Sequence, residues 1–382
     1  MKIIIIADQS IPVHGGYDHA QPVNQQVFWL TKYLQEKHDV TLCCNMASSQ
    51  AIKKRLETQF YDDKTAFGFY NGMEKVKLKV KEDLRANAEK LLSANPELKD
   101  LLAVREGIPA DQPIEKEVER EVERLRIDWS EVDLIVDFSV EKWSHRLAVE
   151  RGNKVLFVCH PQLHHYSSPP PIRFPCFTGV SHRHASSISN VLGMPAEVLP
   201  FGYELPTDSD PPKRDDKGYL LYFGRIVKER GVHELLRIAK ERRLALVIAG
   251  DDRAVEPNYV VQVMKGCDGI LTKYLGSVDE VTKLKLIAEA RALVVPYLNE
   301  NNAYTCLTAK AASRLKVPTI ALNYGSTDES IFEGQNGVLL KSPAELSTFD
   351  FDKTPECKFE GDYAPRYDIF ENLIKKAVES PW

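Results

Sequence analysis

Two series of short apolar runs, each run followed by a segment with helical spacing, lie on either side of a polar stretch at residues 204 to 218. This alternation is the strongest constraint on the fold, because strands that alternate with helices pair in parallel and need helices to cover both faces. In the first series IIIIA is followed by a glycine-containing loop and then QQVFWLTKYLQEK, whose Val27, Leu30, Tyr33 and Leu34 recur at helical spacing. DVTLCC, DLIVDF, KVLFVCH and FTGVS continue it. The segment IEKEVEREVERLR places Ile114, Val118, Val122 and Leu125 on one side and predicts an amphipathic helix laced with Glu–Arg pairs. The stretch ELPTDSDPPKRDDKG is rich in proline and aspartate and reads as a linker. YLLYF, LALVIAG, ALVVPY, PTIALN and GVLL form the second series, and YDIFENLIKKAVE predicts a last helix.

A chain of 382 residues is long enough for about two cores. The pattern divides it into a first Rossmann-like domain over residues 1–205 and a second over 206–365, followed by a terminal helix in 366–382. Facing halves of this kind leave a cleft at the carboxyl ends of their strands. A hydrophobic content of 43% and mixed charges fit a globular chain, and the net charge of −5 gives no general attraction to nucleic acid or anionic lipid. No run approaches the roughly 20 apolar residues that cross a bilayer. MKIIIIADQS lacks signal-peptide features and reads as a buried strand. The seven cysteines are odd in number and form no CxxC pair, which predicts reduced thiols in a cytoplasmic protein.

One short stretch carries candidate chemistry. GRIVKERG, residues 224 to 231, joins YLLYF to VHELLRIAKE, so Arg225 and Arg230 fall on a turn between a strand and a helix, with a glycine at each end. A helix amino terminus favours anions, Gly224 lets the backbone approach a ligand, and two guanidiniums offer forked donors to phosphate oxygens. That combination suits a diphosphate. A solvated basic turn capping its helix is the alternative.

The order and spacing of several further stretches resemble the retaining GT-B glycosyltransferases of family 4, the glycosyl transferases group 1, and the resemblance covers nearly the whole chain. It implies a GT-B fold, two Rossmann-like domains across a cleft with the terminal helix 366–382 returning to the first, and transfer of a sugar from a UDP- or GDP-type donor. Arg225 and Arg230 fall where that family holds the donor diphosphate with an arginine and a lysine. LVIAGDD resembles the strand and turn beside the nucleotide, with Gly250 and Asp251, and YLGSVDE, with Gly276, the turn near the base. ESIFEGQNGVLL is similar to the closing stretch and puts Glu329 and Gly337 in matching places. IPVHGGYDH looks like the glycine-pair loop that approaches the phosphates, with Gly15 and Gly16, and FVCHPQ like the strand whose terminal histidine, here His160, faces the sugar.

The family's pair of glutamates, eight positions apart, is altered in PYLNENNAYTCLTAKAASRLKVPTIA. Counting from Pro296 aligns Glu300 with Thr308; counting back from Pro318 aligns Asn302 with Lys310. Neither register supplies two carboxylates, which puts the ribose contact or the donor identity in question. Amides near Ala303, Tyr304 and Thr305 remain available to phosphate.

CHPQLHH groups His160, His164 and His165 near Cys159, but without a second ligand pair it reads as a single cleft-facing histidine rather than a metal site. Four lysines of KVKLKVK, Lys75 to Lys81, predict a protected edge strand in preference to an anionic acceptor site. Ser181 of SHRH predicts a helix cap. The expectation is therefore a sugar transferase needing neither metal nor cofactor, whose partners are a nucleotide sugar and a sugar, lipid-linked or other hydroxyl acceptor. A binding protein that has lost transfer, a viral-type DNA-base glycosyltransferase and an epimerase of the same fold stay open as alternatives. Residues 51–130, the acceptor and the oligomeric state are not read.

Overall fold

In the computed structural model, the described residues are 1–7, 22–43, 59–60, 127–138, 144, 151–159, 176–205, 210–250, 257–299, 305–359, 361 and 363–379. The sequence readings at Gly15, Gly16, Lys75–Lys81, the helix at 114–126, His160, His164, His165, Asp251, Glu300, Ala303 and Tyr304 lie outside them.

The first half begins with β1 (Lys2–Ile6), α1 (Pro22–Gln35), β2 (Asp39–Cys43) and β3 (Gln59–Phe60). It continues through β4 (Leu134–Asp137), β5 (Val155–Val158), β6 (Phe177–Gly179), α2 (His182–Leu192) and β7 (Glu197–Val198). These strands form one parallel sheet in the order β3-β2-β1-β4-β5-β6-β7. Ile3 to Ile6 are all fully buried, so β1 is covered on both faces, as a central parallel strand must be. Ser181 caps α2: its side chain accepts from the His184 amide, and Gly193 closes the helix at φ 66°.

The second half contains β8 (Tyr219–Phe223), α3 (Val232–Arg242), β9 (Leu246–Ala249), α4 (Pro257–Gly266), β10 (Thr272–Gly276) and α5 (Glu280–Glu289). β11 (Ala290–Val295), α6 (Leu307–Arg314), β12 (Thr319–Leu322), β13 (Gly337–Leu340) and α7 (Pro343–Thr348) follow. Its parallel sheet has the order β10-β9-β8-β11-β12-β13. The predicted linker is only partly loose. Residues 210–217 form no helix or strand, yet the Asp215 and Lys217 amides donate to Ala288 and Glu289 carbonyls and lay the segment along the end of α5.

The last helix, α8 (Tyr367–Glu379), packs on the first half. Tyr367 stacks on Tyr33 of α1 with centroids 4.3 Å apart, Glu371 pairs with Lys37, and Phe370 is fully buried. The chain therefore crosses between the halves twice, through residues 199–205 and again near 361–366, and the crossings touch where the Tyr203 amide donates to the Tyr363 carbonyl at 2.6 Å. One apolar core runs from Ile3, Ile5 and Val136 in the first half to Leu221, Leu293 and Ile287 in the second, with Phe201 and Tyr203 between them.

Candidate functional site

Sheet order locates the crevice. In the second sheet the chain moves outward from β8 to β9 and β10, then returns to the other side of β8 to place β11. The connections after β8 and β11 leave in opposite directions and open a crevice at their carboxyl ends, where such sheets bind ligands. GRIVKERG is the connection after β8, and Pro296-Tyr297-Leu298 begins the one after β11. The first sheet reverses in the same way between β1 and β4.

The turn is built on glycines for steric reasons. Gly231 has φ 70°, and a Cβ there would lie 1.9 Å from the Pro296 carbonyl oxygen. Gly250, at φ 135°, would place a Cβ 2.0 Å from the Gly224 carbonyl oxygen. Neither position has room for a side chain. The Gly224 amide donates to Ala249, the Gly250 amide to Gly276, and the Leu298 amide to the Glu229 carbonyl at 2.9 Å. Turns after β8, β9, β10 and β11 are thereby locked into one surface, which brings Gly224, Gly250 and Gly276 together.

Arg225 and Arg230 differ in setting. Arg225 is exposed, and its carbonyl accepts from the buried Tyr222 hydroxyl at 2.6 Å. Arg230 ends a 3-10 turn over Lys228–Arg230, and its guanidinium carbon lies 4.1 Å above the centre of the Tyr297 ring. Burial works against the Arg230 charge, but the Tyr297 and Tyr222 phenols outweigh it and shift its pKa upward. Tyr297 is 7% exposed, and burial pushes its phenol up to about 12 against the pull of Arg230. Its hydroxyl also hydrogen-bonds the buried Cys306, whose thiol is pushed up by burial. Both arginines pull the Tyr297 phenol pKa down against burial, Arg230 more than Arg225.

The α3 terminus contributes less than its place suggests. Its N-cap, Gly231, provides no side-chain cap, and the His233 amide is already bound to the Tyr259 hydroxyl at 3.1 Å. Side chains therefore supply most of the anion-binding capacity here. α6 offers more. It starts without a side-chain cap at Cys306, and the buried Thr305 hydroxyl just before it has no hydrogen-bond partner among the described residues. A buried hydroxyl left in that state waits for a ligand or water.

Lys310 does not join this group. It lies one turn deeper in α6, 7% exposed, and its ammonium donates to the Phe201 carbonyl at 2.7 Å. Burial lowers its pKa to about 8. Glu329 belongs to the contact between the halves: its carboxylate accepts from the His182 and Arg183 amides, at 2.8 and 3.0 Å, at the start of α2. Burial would raise the Glu329 pKa, but these amides and the His182 ring bring it below the ordinary glutamate value. Arg183 pairs with Asp328, and the Ser181 and Ser326 hydroxyls meet at 2.8 Å. Gly337 opens β13, where a Cβ would strike the Thr319 carbonyl. Tyr297 and Cys306 were missed by sequence reasoning. The signal was their place on either side of the altered glutamate region, and its meaning depends on strand order.

Residues 207–348, in the second half, match the family model described as Glycosyl transferases group 1. The whole chain has the GT-B fold of solved glycosyltransferases. AviGT4, a glycosyltransferase involved in avilamycin A biosynthesis, is 15% identical with a TM-score of 0.53, over 99% of this chain and 92% of its own. Anabaena HepE, solved with UDP-glucose, is 12% identical with a TM-score of 0.58, over 99% and 93%. Sucrose-phosphate synthase from Thermosynechococcus elongatus is 13% identical with a TM-score of 0.58, also over 99% and 93%. No curated protein matches the chain in sequence. No helix among the described residues is long and apolar enough to cross a membrane.

Proposed function

We propose that the protein is a retaining glycosyltransferase that moves a sugar from a nucleotide-diphosphate donor, UDP-linked in the first instance, to a hydroxyl acceptor. The observation that carries this reading is the pair of arginines at the switch point of a group 1 domain, with the Arg230 guanidinium held 4.1 Å over Tyr297. The UDP-glucose bound by HepE supports the choice of nucleotide.

Departure of a nucleoside diphosphate leaves an electron-poor anomeric carbon and places growing negative charge on the leaving oxygens. Cations fixed in advance stabilise that charge without reorganising during the reaction. Arg225 and Arg230 perform this role, the Thr305 hydroxyl and the amides opening α6 add donors, and Gly224, Gly250 and Gly276 let the nucleotide lie against the backbone. In the retaining reading the acceptor hydroxyl attacks from the leaving-group side and passes its proton toward the departing phosphate. His160, Gly15, Gly16, Asp251, Glu300, Ala303 and Tyr304 are assigned to the same site on the family resemblance. Catalysis by this set draws its positive charge from side chains, so we assign no metal or cofactor to it.

The experiment is incubation with radiolabelled UDP-glucose and GDP-mannose, following both binding and sugar release. Slow release of glucose that disappears in Arg225→Ala and Arg230→Ala supports a transferase. Tight binding with no release in any variant favours instead a nucleotide-sugar binder, a reading motivated by Lys310 standing where one register of the motif expects a carboxylate. No binding of either donor overturns both.

A further inference from the structure

The buried lysine of α6 has a neighbour that no step of sugar transfer requires. Lys310 leaves the crevice and reaches into the first crossing between the halves, where Phe201, Gly202 and Tyr203 run as a short segment under heavy constraint. The Gln26 side-chain amide of α1 grips Gly202 twice, donating to its carbonyl at 2.7 Å and accepting from its amide at 3.1 Å. The Tyr203 amide is bound to the second crossing through the Tyr363 carbonyl, and the Tyr203 hydroxyl donates to the buried Glu280 of α5. A Cβ on Gly202 would lie 2.3 Å from the Pro365 nitrogen, so the two crossings are in backbone contact. Gln26 thus holds the hinge from the first half, and Lys310 and Glu280 hold it from the second.

Of the two second-half grips, Lys310 belongs to the helix that begins in the site. From Cys306, bonded to Tyr297, to Lys310 is about one helical turn, roughly 6 Å of a rigid rod. The other groups facing the ammonium are the Tyr363 ring, 5.7 Å away, the buried Cys306 thiol and, electrostatically, the Glu329 carboxylate; among the described residues its hydrogen bond goes to the Phe201 carbonyl. A buried ammonium that faces a neutral carbonyl is costly, and a methionine would fill the same volume without that cost. Stability alone does not explain the lysine.

We infer that Lys310 is a positioning residue, a strut that ties the amino end of α6 to the interdomain hinge and thereby links occupancy of the crevice to the setting of the two halves. An anion that draws the start of α6 toward Arg225 and Arg230 pulls on the Phe201 carbonyl through Lys310. By linkage, movement at the hinge shifts the affinity of the crevice by the same factor. The coupling to donor rests on the reading of the crevice as a nucleotide-sugar site, whereas the grip on the hinge does not.

Hydrogen–deuterium exchange separates the two. In Lys310→Met without nucleotide, the amides of residues 199–205 are expected to exchange at least tenfold faster than in the parent, while β9 is unchanged. Lys310→Arg, which keeps a long cationic donor, is expected to restore much of that protection. With UDP, the parent gains protection at 199–205 and Lys310→Met does not, although it still binds UDP within about tenfold of the parent affinity. Unchanged exchange at 199–205 in Lys310→Met overturns the strut. Equal UDP-induced protection of the hinge in parent and Lys310→Met overturns the coupling. A parent that does not bind UDP removes the donor reading, and the comparison without nucleotide still decides the strut. If the methionine variant does not fold, Lys310→Gln, with a shorter reach, serves in the same comparison.

Discussion

Arg230→Lys is the substitution whose cost the structure makes specific. The family resemblance puts a lysine at this place, which predicts a milder effect than Arg230→Ala because a point charge already serves phosphate. In the structure Arg230 is not a free point charge. Its planar guanidinium lies 4.1 Å over the buried Tyr297 ring, and the Tyr297 phenol helps to raise its pKa. A desolvated stack of this kind is worth about 1–2 kcal/mol, and a lysine cannot reproduce its flat contact or its fork of donors. Arg230→Lys should therefore lower kcat/KM for donor by roughly five- to thirtyfold, at about 1.4 kcal/mol per factor of ten. Arg230→Ala also loses a charge-assisted contact of about 1.5–3 kcal/mol and should cost on the order of a hundred- to a thousandfold. The assay is release of sugar from UDP-glucose, with UDP affinity from calorimetry and the melting temperature as a folding control. A cycle with Tyr297→Leu provides the critical comparison: once the ring is gone, Arg230→Lys should cost less than threefold more. If Arg230→Lys matches the parent, or costs as much in the Tyr297→Leu background as it does with the ring in place, the stack does not position the guanidinium.

Parts of the fold were legible in the sequence and parts were not. Fully buried parallel strands appear in sequence as unbroken apolar runs, and Ile3–Ile6, Leu246–Ala249 and Ala292–Val295 are such runs. A strand-to-helix turn between two glycines is legible too, because a backbone that excludes Cβ leaves glycine as its mark, as at Gly231 and Gly250. What remained hidden depends on strand order. Pro296 and Gly231 are more than sixty positions apart, and their contact exists only because β11 returns to pair with β8. The same return hides Tyr297 under Arg230. The start of the first crossing was hidden for a related reason. Proline and aspartate marked 204–218 as the linker, but the polar grips fall on Phe201, Gly202 and Tyr203, which look like the end of a strand because the crossing is buried.

Three further predictions test the site, the contact between the halves and the buried lysine. Gly231→Ala, forced against the Pro296 carbonyl at φ 70°, should destabilise the fold by more than about 2 kcal/mol, whereas Gly193→Ala, at φ 66° in open space, should cost only about 1 kcal/mol. Urea titration compares them, and equal costs would remove the argument for the close approach. Glu329→Ala should cost about 1 kcal/mol by leaving the first α2 amides without their carboxylate. Because the folded Glu329 pKa is lowered, its contribution is present above the ordinary glutamate range and fades as pH falls through the folded value. The parent and the alanine variant should therefore converge in melting temperature on acidification, and a constant gap would contradict the assignment. Lys310 has the opposite sign. Its pKa falls from 10.5 to about 8 on folding, so the unfolded chain binds more protons between those values and stability must rise with pH across that window. At 1.36 kcal/mol per pH unit the rise is about 3 kcal/mol, partly offset in the parent by Cys176, Cys267, Cys306 and Cys357 and, near the upper end of the window, by Tyr222 and Tyr297, whose raised pKa values withdraw stability as pH increases. Subtracting the pH profile of Lys310→Met cancels what the two proteins share and leaves the lysine. The methionine variant should be the more stable protein below pH 8 by up to about 2 kcal/mol, after allowing about 1 kcal/mol for the unpaired Phe201 carbonyl, and should lose that advantage by pH 10.5. A difference between the two profiles that stays flat from pH 7 to 10.5 would mean that the ammonium is not held in the buried state that its contact with Phe201 describes.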